Sequence, residues 1–311
     1  MKLNEELSKG NINNFLRVIS NFISKLIPES SRLYKKMAFL GLKLTEKKRL
    51  SKRKQFRFDV PITDHCNLNC KCCWVFSPVA EKTFLNVKQY ISDLHKLSEI
   101  TNGEVSDIAL AGGEPLLHPE LIEIMDATRK YFTNIEIFII TNGTILKKQS
   151  DEFWSACRRN KIKVSITRYP IKLDFKFLKS KAEKEAVKLE YWGGESEPIK
   201  SMWKLPFDLN GTQDLEHSWK YCKEANFCMR LANGKIYPCG QVYSVGHFNK
   251  YFNTNMVVSE KDVLELDNIR NLDEILTFAS TPPPFCKYCK KKDITFGLKW
   301  GISKKEISEW V

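Results

Sequence analysis

Residues 66–73 read CNLNCKCC, a stretch in which Cys66, Cys70 and Cys73 have the spacing C-x3-C-x2-C. The run Gly112-Gly113-Glu114-Pro115 follows further along the chain. Three thiolates in one short loop can hold three corners of a cubane iron–sulfur cluster and leave the fourth iron without a protein ligand. The stretch therefore predicts a metal site with one iron open to a small molecule.

The alternative for three close cysteines is a structural zinc ion, which needs four ligands and most often uses paired C-x2-C knuckles. Cys72 is a fourth thiol inside the loop and could compete as a ligand. The C-x3-C-x2-C spacing is matched only by the other three, so we expect Cys72 to be a spectator.

The order of elements predicts a partial barrel. Strand-like and helix-like segments alternate from Phe56 onward, which is typical of parallel βα units with right-handed crossovers. We predict strands at 56–62, 107–111, 135–140, 162–167 and 187–191, and helices at 86–99, 119–131, 150–160 and 174–186. The fold class is α/β, a partial (β/α)6 TIM-type barrel whose chemistry should lie at the C-terminal ends of the strands.

The C-x3-C-x2-C loop and the later GGEP together resemble the radical S-adenosylmethionine (SAM) superfamily. The resemblance implies a SAM-binding [4Fe–4S] cluster on Cys66, Cys70 and Cys73, and a 5′-deoxyadenosyl radical formed from SAM. It also implies that Gly112 and Gly113 bind the amino group of SAM while Glu114 fixes the local backbone. A plain glycine turn is the alternative for this segment.

Further residues at predicted strand ends are candidates for the SAM site. Thr141-Asn142-Gly143 ends the third strand as in similar family members, although an Asn-Gly turn without a ligand gives the same pattern. Ser165 occupies the strand position that often binds the SAM ribose in the family, and Thr167 shares its face. Arg168 and Glu195 lie just past strand ends, where they could handle a substrate alcohol.

A second cysteine group follows residue 200, where the βα alternation stops. Cys222, Gly234 and Cys239 have the spacing C-x11-G-x4-C, and Cys286 and Cys289 form a C-x2-C pair. This resembles the auxiliary-cluster region of the SPASM and twitch subfamilies and implies a second [4Fe–4S] cluster. A four-cysteine zinc ribbon is the rival. The turn Ala232-Asn233-Gly234 predicts a hairpin between strands at 227–231 and 235–237.

Five cysteines compete for four positions in this group. Cys228 is the surplus one by spacing, but it could replace Cys222. A free Cys228 facing the cavity could return a hydrogen atom to a carbon radical; a buried small apolar residue is the ordinary alternative. The predicted domains are a basic helical N-terminal arm (1–55), the barrel (56–205) and a small α+β twitch-like cluster domain (206–311).

The charge pattern limits the partners. The net charge is +13, but residues 1–57 hold fifteen Lys and Arg against four Asp and Glu, so the rest is almost neutral. The arm reads as an amphipathic helix on its own barrel, or as a contact to an anionic membrane or lipid-linked substrate. We expect no nucleic-acid partner. Ten cysteines without a secretion signal predict a cytoplasmic protein, at most peripheral to a membrane.

The resemblance implies hydrogen abstraction from a carbinol C–H of a sugar, nucleotide sugar, amino sugar or cyclitol. The run CNLNCKCCWVFSPVAEK resembles radical SAM proteins that accompany surface-glycan and amino-sugar biosynthesis. The product is a ketone if the auxiliary cluster takes an electron, or an epimer if Cys228 returns hydrogen. Peptide modification and a non-catalytic metal scaffold are further alternatives. A one-electron reductant such as flavodoxin or ferredoxin is the implied protein partner.

Overall fold

The computed structural model describes residues 57–311 except 193, 195–198, 223, 226 and 227. The predicted N-terminal arm and the candidate Glu195 lie outside the described residues. The described strands are β1 (Arg57–Thr63), β2 (Asp107–Gly112), β3 (Glu136–Thr141), β4 (Ile162–Ile166), β5 (Leu189–Tyr191), β6 (Met202–Lys204), β7 (Cys228–Ala232), β8 (Lys235–Tyr237), β9 (Leu264–Glu265) and β10 (Thr295–Leu298).

One eight-stranded sheet organises the described chain, in the order β5-β4-β3-β2-β1-β7-β8-β9. The six strands from β5 to β7 are parallel, and β8 and β9 continue the sheet in antiparallel fashion. The fold is mixed α/β with a parallel sheet, as predicted, and the predicted hairpin is present as β7 and β8. The sheet continues past residue 205, because β7 pairs directly with β1.

Helices connect and cover the strands. They are α1 (Val87–Thr101), α2 (Leu121–Tyr131), α3 (Asp151–Arg159), α4 (Phe175–Lys184), α5 (Leu215–Lys220), α6 (Gly240–Phe252) and α7 (Leu272–Ser280). Their starts are marked by capping side chains: Asn86, Ser150 and Asp174 each accept a hydrogen bond from a backbone N–H three residues later. Such caps satisfy backbone donors that a helix leaves unpaired.

The main core lies between the sheet and the helices. On β1, Phe58, Val60 and Ile62 are fully buried in it. Because side chains alternate along a strand, Arg57 and Asp59 project to the opposite face, toward the interior of the barrel. A second core around Phe76, Phe207, Phe248 and Phe285 joins the loop after β1 to the later part of the chain. Within the described residues, no helix is long and apolar enough to cross a membrane.

Candidate functional site

The three predicted cluster cysteines lie in one loop at the C-terminal end of β1. Burial raises the pKa of the Cys66 thiol to about 12, and the negative charges of Glu114, Cys73 and Cys70 add to the effect. The thiols are therefore close enough to repel one another as anions. Bound iron would supply the positive charge that favours three thiolates here.

Cys72 borders the second core, beside Phe207, Glu309 and Trp310. Its side chain is buried, and its backbone is left-handed, with φ of 55°. The Cys72 backbone N–H donates to Glu309 Oε2 at 3.4 Å. This placement supports the expectation that Cys72 is a spectator.

The double glycine joins the end of β2 to the cysteine loop. Gly113 N donates to Thr63 O at 2.7 Å, and Glu114 N donates to His65 O at 3.1 Å. A Cβ atom on Gly112 would lie 2.1 Å from Thr63 O, and one on Gly113 would lie 2.0 Å from His65 O. Gly112 and Gly113, which the resemblance assigns to SAM binding, therefore pack closely against the protein's own backbone, just before Cys66.

We expect Gly113→Ala to lower the free energy of unfolding by about 3 kcal/mol, because backbone atoms on both sides must move. Gly246→Ala is the matched control: its Cβ would meet nothing within 4 Å. On α6 it should be neutral or stabilise by up to about 1 kcal/mol. Urea unfolding of the two variants measures the difference, and equal stabilities would contradict this account of the joint.

The Glu114 carboxylate connects the ends of β2 and β3. Its Oε1 accepts hydrogen bonds from Thr141 Oγ1 (2.6 Å) and Leu116 N (3.1 Å), and its Oε2 accepts one from Asn142 N (2.8 Å). The side chain is fully buried. Burial raises the pKa of Glu114 to about 7, although the three donors oppose the shift. Its contacts support the predicted role in fixing the local backbone.

Asn142 reaches the cysteine loop from β3. Its Nδ2 lies 2.8 Å from Asn67 Oδ1 and 3.7 Å from Cys66 Sγ, while its Oδ1 accepts from Thr144 N at 2.9 Å. The Thr141-Asn142-Gly143 turn, with φ of 77° at Gly143, thus holds an amide against Cys66. The loops after β1, β2 and β3 form one hydrogen-bonded unit.

A cavity of about 340 Å³ opens beside this unit, at the C-terminal ends of β3, β4 and β5. Asn142, Thr167 and Arg168 line it, together with Tyr169, Pro170, Ile171, Leu173, Tyr191 and Ile199. The Arg168 guanidinium stacks over the Tyr191 ring, with its central carbon 5.1 Å from the ring centroid. Arg168, a candidate just past the end of β4, therefore borders open space.

Ser165 is fully buried and does not line this cavity. Its Oγ has no hydrogen-bond partner among the described residues. A buried hydroxyl without a partner is costly, so a ligand atom that bonds to it would relieve the cost. The unpaired Ser165 Oγ, the open cavity and the three thiols fit a [4Fe–4S] cluster with SAM.

Two aromatic residues that the sequence did not single out also contact the cysteine loop. Trp300 Nε1 donates to Cys70 Sγ at 3.2 Å. Tyr169 lies near the same thiol, where it opposes the rise in the pKa of Cys70, and it also lines the cavity. Tyr169 follows the Ser165–Arg168 strand end, which is a usable signal. Trp300 lies 230 residues from Cys70, and no sequence pattern links them.

Four thiols of the second group are brought together. Burial raises the pKa of Cys286, and the charges of Cys289, Cys222 and Cys239 raise it further. Burial alone would lower the pKa of Lys291. The negative charges of Cys222 and Cys289 together have the larger effect, so the pKa of Lys291 is raised. The Lys291 ammonium also hydrogen-bonds to Cys222. This cation offsets the negative charge that four thiolates would concentrate there.

Cys228 lies apart from that group, at the start of β7. It is paired in register with Arg57 on β1. Burial raises the pKa of Cys228, as do the nearby Asp59 and Glu224 carboxylates, and Arg57 and Arg230 oppose them. Cys228 is therefore a protonated thiol in the barrel interior.

No group of three or more His, Cys, Asp or Glu side chains suited to a single metal ion occurs in the described part of the chain.

The barrel interior around Cys228 is strongly polar, which the sequence reading missed. Asp59 accepts hydrogen bonds from Arg57 Nε at 2.7 Å and from Arg230 Nη1. Lys163 pairs with Glu136 and Glu190 at 2.6 and 3.2 Å. The signal was available: charged residues alternate with apolar ones in Arg57-Phe58-Asp59-Val60 and Ile162-Lys163-Val164.

Part of the chain is similar to proteins of known function. The GTP 3′,8-cyclase of Petrotoga mobilis is 32% identical over 90 residues, which cover 29% of this chain and 28% of that protein. The subtilosin biosynthesis protein AlbA of Bacillus subtilis is 32% identical over 91 residues, covering 29% of this chain and 19% of AlbA. The chain thus spans less than a third of the length of these relatives.

Among solved structures, BtrN in complex with AdoMet and 2-DOIA aligns with a TM-score of 0.45 and 17% identity, over 76% of this chain and 93% of BtrN. Residues 60–174, from β1 to the turn before α4, match the Radical SAM superfamily. That family implies a [4Fe–4S] cluster and SAM, in agreement with the geometry of the Cys66 loop. The chain contains a radical SAM domain.

Proposed function

We propose that this chain is a radical SAM oxidoreductase that oxidises a carbinol carbon of a sugar, nucleotide sugar, amino sugar or cyclitol to a ketone. The observation that carries the proposal is the grouping of the cysteines into two sets. Cys66, Cys70 and Cys73 leave one corner of a cubane open, whereas Cys222, Cys239, Cys286 and Cys289 can occupy all four corners. A closed cluster cannot bind substrate and is suited to electron transfer.

When bound, SAM on a cluster held by Cys66, Cys70 and Cys73 would supply a 5′-deoxyadenosyl radical. A cluster held by Cys222, Cys239, Cys286 and Cys289 would accept the remaining substrate electron. The protein's part is to position and to exclude water. Asn142 and Glu114 hold the loops that surround Cys66. The N–H groups of Gly113 and Glu114 bond to the backbone oxygens of Thr63 and His65, just before that loop. Ser165 and Thr167 are proposed to bind the SAM ribose.

Arg168 is proposed to bind the substrate hydroxyl. Its guanidinium lines the cavity and is held over the Tyr191 ring, which limits its motion. A guanidinium remains charged at neutral pH, so it would stabilise oxygen that loses its proton rather than act as the base. Glu195, three residues past Trp192, is proposed as a second polar group that handles the substrate alcohol; it lies outside the described residues.

A second candidate is epimerisation, and the position of Cys228 favours it. A hydrogen-atom donor must be a protonated thiol, and burial keeps Cys228 protonated in the barrel interior. Its neighbours Arg57 and Asp59 could orient a polar substrate beside it. Peptide modification is a third candidate, because AlbA, which is similar to part of this chain, is a bacteriocin biosynthesis protein.

The proposed partners follow from this chemistry. A one-electron reductant such as flavodoxin or ferredoxin would supply the first cluster. Contact with a membrane surface or a lipid-linked substrate is proposed for the basic arm, which lies outside the described residues. A cytoplasmic location, peripheral to the membrane at most, is part of the same proposal.

The test is incubation of the reconstituted protein with SAM, reductant and a panel of nucleotide sugars, amino sugars and aminocyclitols in deuterated water. We expect a ketone product without solvent deuterium at carbon, and one 5′-deoxyadenosine for each ketone. Deuterium on the product carbon, lost in Cys228→Ala, would instead support the epimerase. A modified peptide with no reaction on the panel would overturn both.

A further inference from the structure

The segment 300–310 packs along one side of the cysteine loop. Lys71 N donates to Gly301 O at 2.8 Å, and Ser303 N donates to Asn69 O at 2.8 Å. These bonds flank an antiparallel bridge between Cys70 and Ile302. The segment therefore runs alongside the loop as a short strand would, centred on one of the proposed iron ligands.

The same segment holds the loop at two further points. Glu309 is almost fully buried; its Oε2 accepts from Cys72 N, and its Oε1 accepts from Lys304 N at 2.6 Å. Trp310 Nε1 donates to Cys73 O at 2.9 Å. The backbone from Cys70 to Cys73 is thus fixed by one segment from the far end of the described chain.

The segment is itself anchored in the second core. Phe207 N donates to Trp310 O at 2.7 Å, and the Trp310 ring packs 6.1 Å from Phe76. Lys204 Nζ donates to the backbone oxygens of Ser308 and Val311, both at 2.6 Å. A segment held this firmly can present a side chain to the loop in one orientation.

Trp300 is the side chain that it presents. The indole N–H points at Cys70 Sγ from 3.2 Å, and the ring lies 6.3 Å from the ring of Tyr169, which lines the neighbouring cavity. A tryptophan that only packed against the loop would need no N–H directed at a ligand atom. The Cys70 sulfur is therefore supplied with a donor from the far end of the described chain.

We propose that Trp300 is a positioning residue of the radical SAM centre, whose N–H···S bond to Cys70 raises the reduction potential of the cluster. The inference rests on the proposed [4Fe–4S] cluster at Cys66, Cys70 and Cys73. Reduction adds negative charge to the cluster and its sulfur ligands. A donor to sulfur stabilises the reduced form more than the oxidised form, and such bonds tune cluster potentials.

The test is to measure the reduction potential of the cluster in Trp300→Phe. This substitution keeps an aromatic ring but removes the N–H donor. In reductive titrations followed by EPR, we expect the ratio of reduced to oxidised cluster at the wild-type midpoint to fall about tenfold. Trp154→Phe is the matched control, because Trp154 is buried on α3 beside Phe153, away from the loop.

An unchanged potential in iron-loaded Trp300→Phe, or an equal shift in Trp154→Phe, would overturn the inference. Should Trp300→Phe fail to load iron, wild-type protein with ¹⁵N-indole tryptophan decides: we expect a ¹⁵N hyperfine coupling to the reduced cluster, and its absence refutes the bond. The signal is assigned by its loss in the alanine variant of Cys66, Cys70 and Cys73. If wild-type protein shows no reduced-cluster EPR signal that this alanine variant loses, the proposed function itself fails.

Discussion

Replacing Cys66, Cys70 and Cys73 together with alanine is expected to lower the iron content of reconstituted protein from about eight to about four atoms per chain. Formation of 5′-deoxyadenosine from SAM should fall to background. The reason is that these thiols are the proposed ligands of the cluster that binds SAM, while the second set of cysteines is left intact. Iron analysis and chromatography of the nucleoside product provide the two measurements.

Cys72→Ala is the matched control for this variant. Cys72 lies in the same loop but faces Glu309 and Trp310 in the second core. It should keep about eight iron atoms and should cleave SAM at a rate close to that of the wild type. Loss of four iron atoms in Cys72→Ala would mean that the loop uses a different set of ligands. Full SAM cleavage in the triple variant would remove the basis of the proposed function.

Cys222→Ala and Cys228→Ala are expected to differ sharply. Cys222 lies with Cys239, Cys286 and Cys289, so its loss should reduce iron to about four atoms per chain. Cys228 lies in the barrel interior near Arg57 and Asp59, so its loss should leave about eight. SAM cleavage should survive in both variants, whereas ketone formation should be lost in Cys222→Ala because the electron acceptor is missing.

The same two variants test whether the second cysteine group binds an iron–sulfur cluster or a zinc ion. Metal analysis of wild-type protein should find iron and sulfide at this site and no stoichiometric zinc. Zinc that disappears in Cys222→Ala would contradict the auxiliary-cluster proposal but would leave the Cys66 loop untouched. Loss of iron in Cys228→Ala instead of Cys222→Ala would reverse the ligand assignment.

Local patterns in the sequence predicted most of the barrel. The alternation of apolar strands and amphipathic helices placed β1 to β5 within a few residues, because each unit buries one face against its neighbours. The strand ends followed from that order, whereas Glu114, Asn142 and Thr167 were chosen at those ends because of the resemblance to radical SAM proteins. The hairpin of β7 and β8 was predicted from its Asn-Gly turn, but its pairing with β1 is a long-range contact that no local pattern encodes.

The features that the sequence did not predict also depend on long-range contacts. Spacing alone left Cys222 and Cys228 as rivals, because the choice depends on how α5 packs: Ser218 Oγ donates to Cys289 O at 2.8 Å, which sets Cys222 near that loop. The contact of Trp300 with Cys70 depends on the path of the 300–310 segment across the second core. Only the polar barrel interior, from Arg57 and Asp59 to Lys163, was visible as alternation and overlooked.

The most direct test of the account is whether SAM binds the proposed open iron of the Cys66 loop. ENDOR spectra of the reduced protein should be recorded with SAM labelled with ¹⁵N at the methionine amino group and ¹⁷O at its carboxylate. We predict hyperfine coupling of both labels to the cluster, lost in the alanine variant of Cys66, Cys70 and Cys73. A reduced cluster in the presence of bound SAM with no coupling to either label would contradict the account.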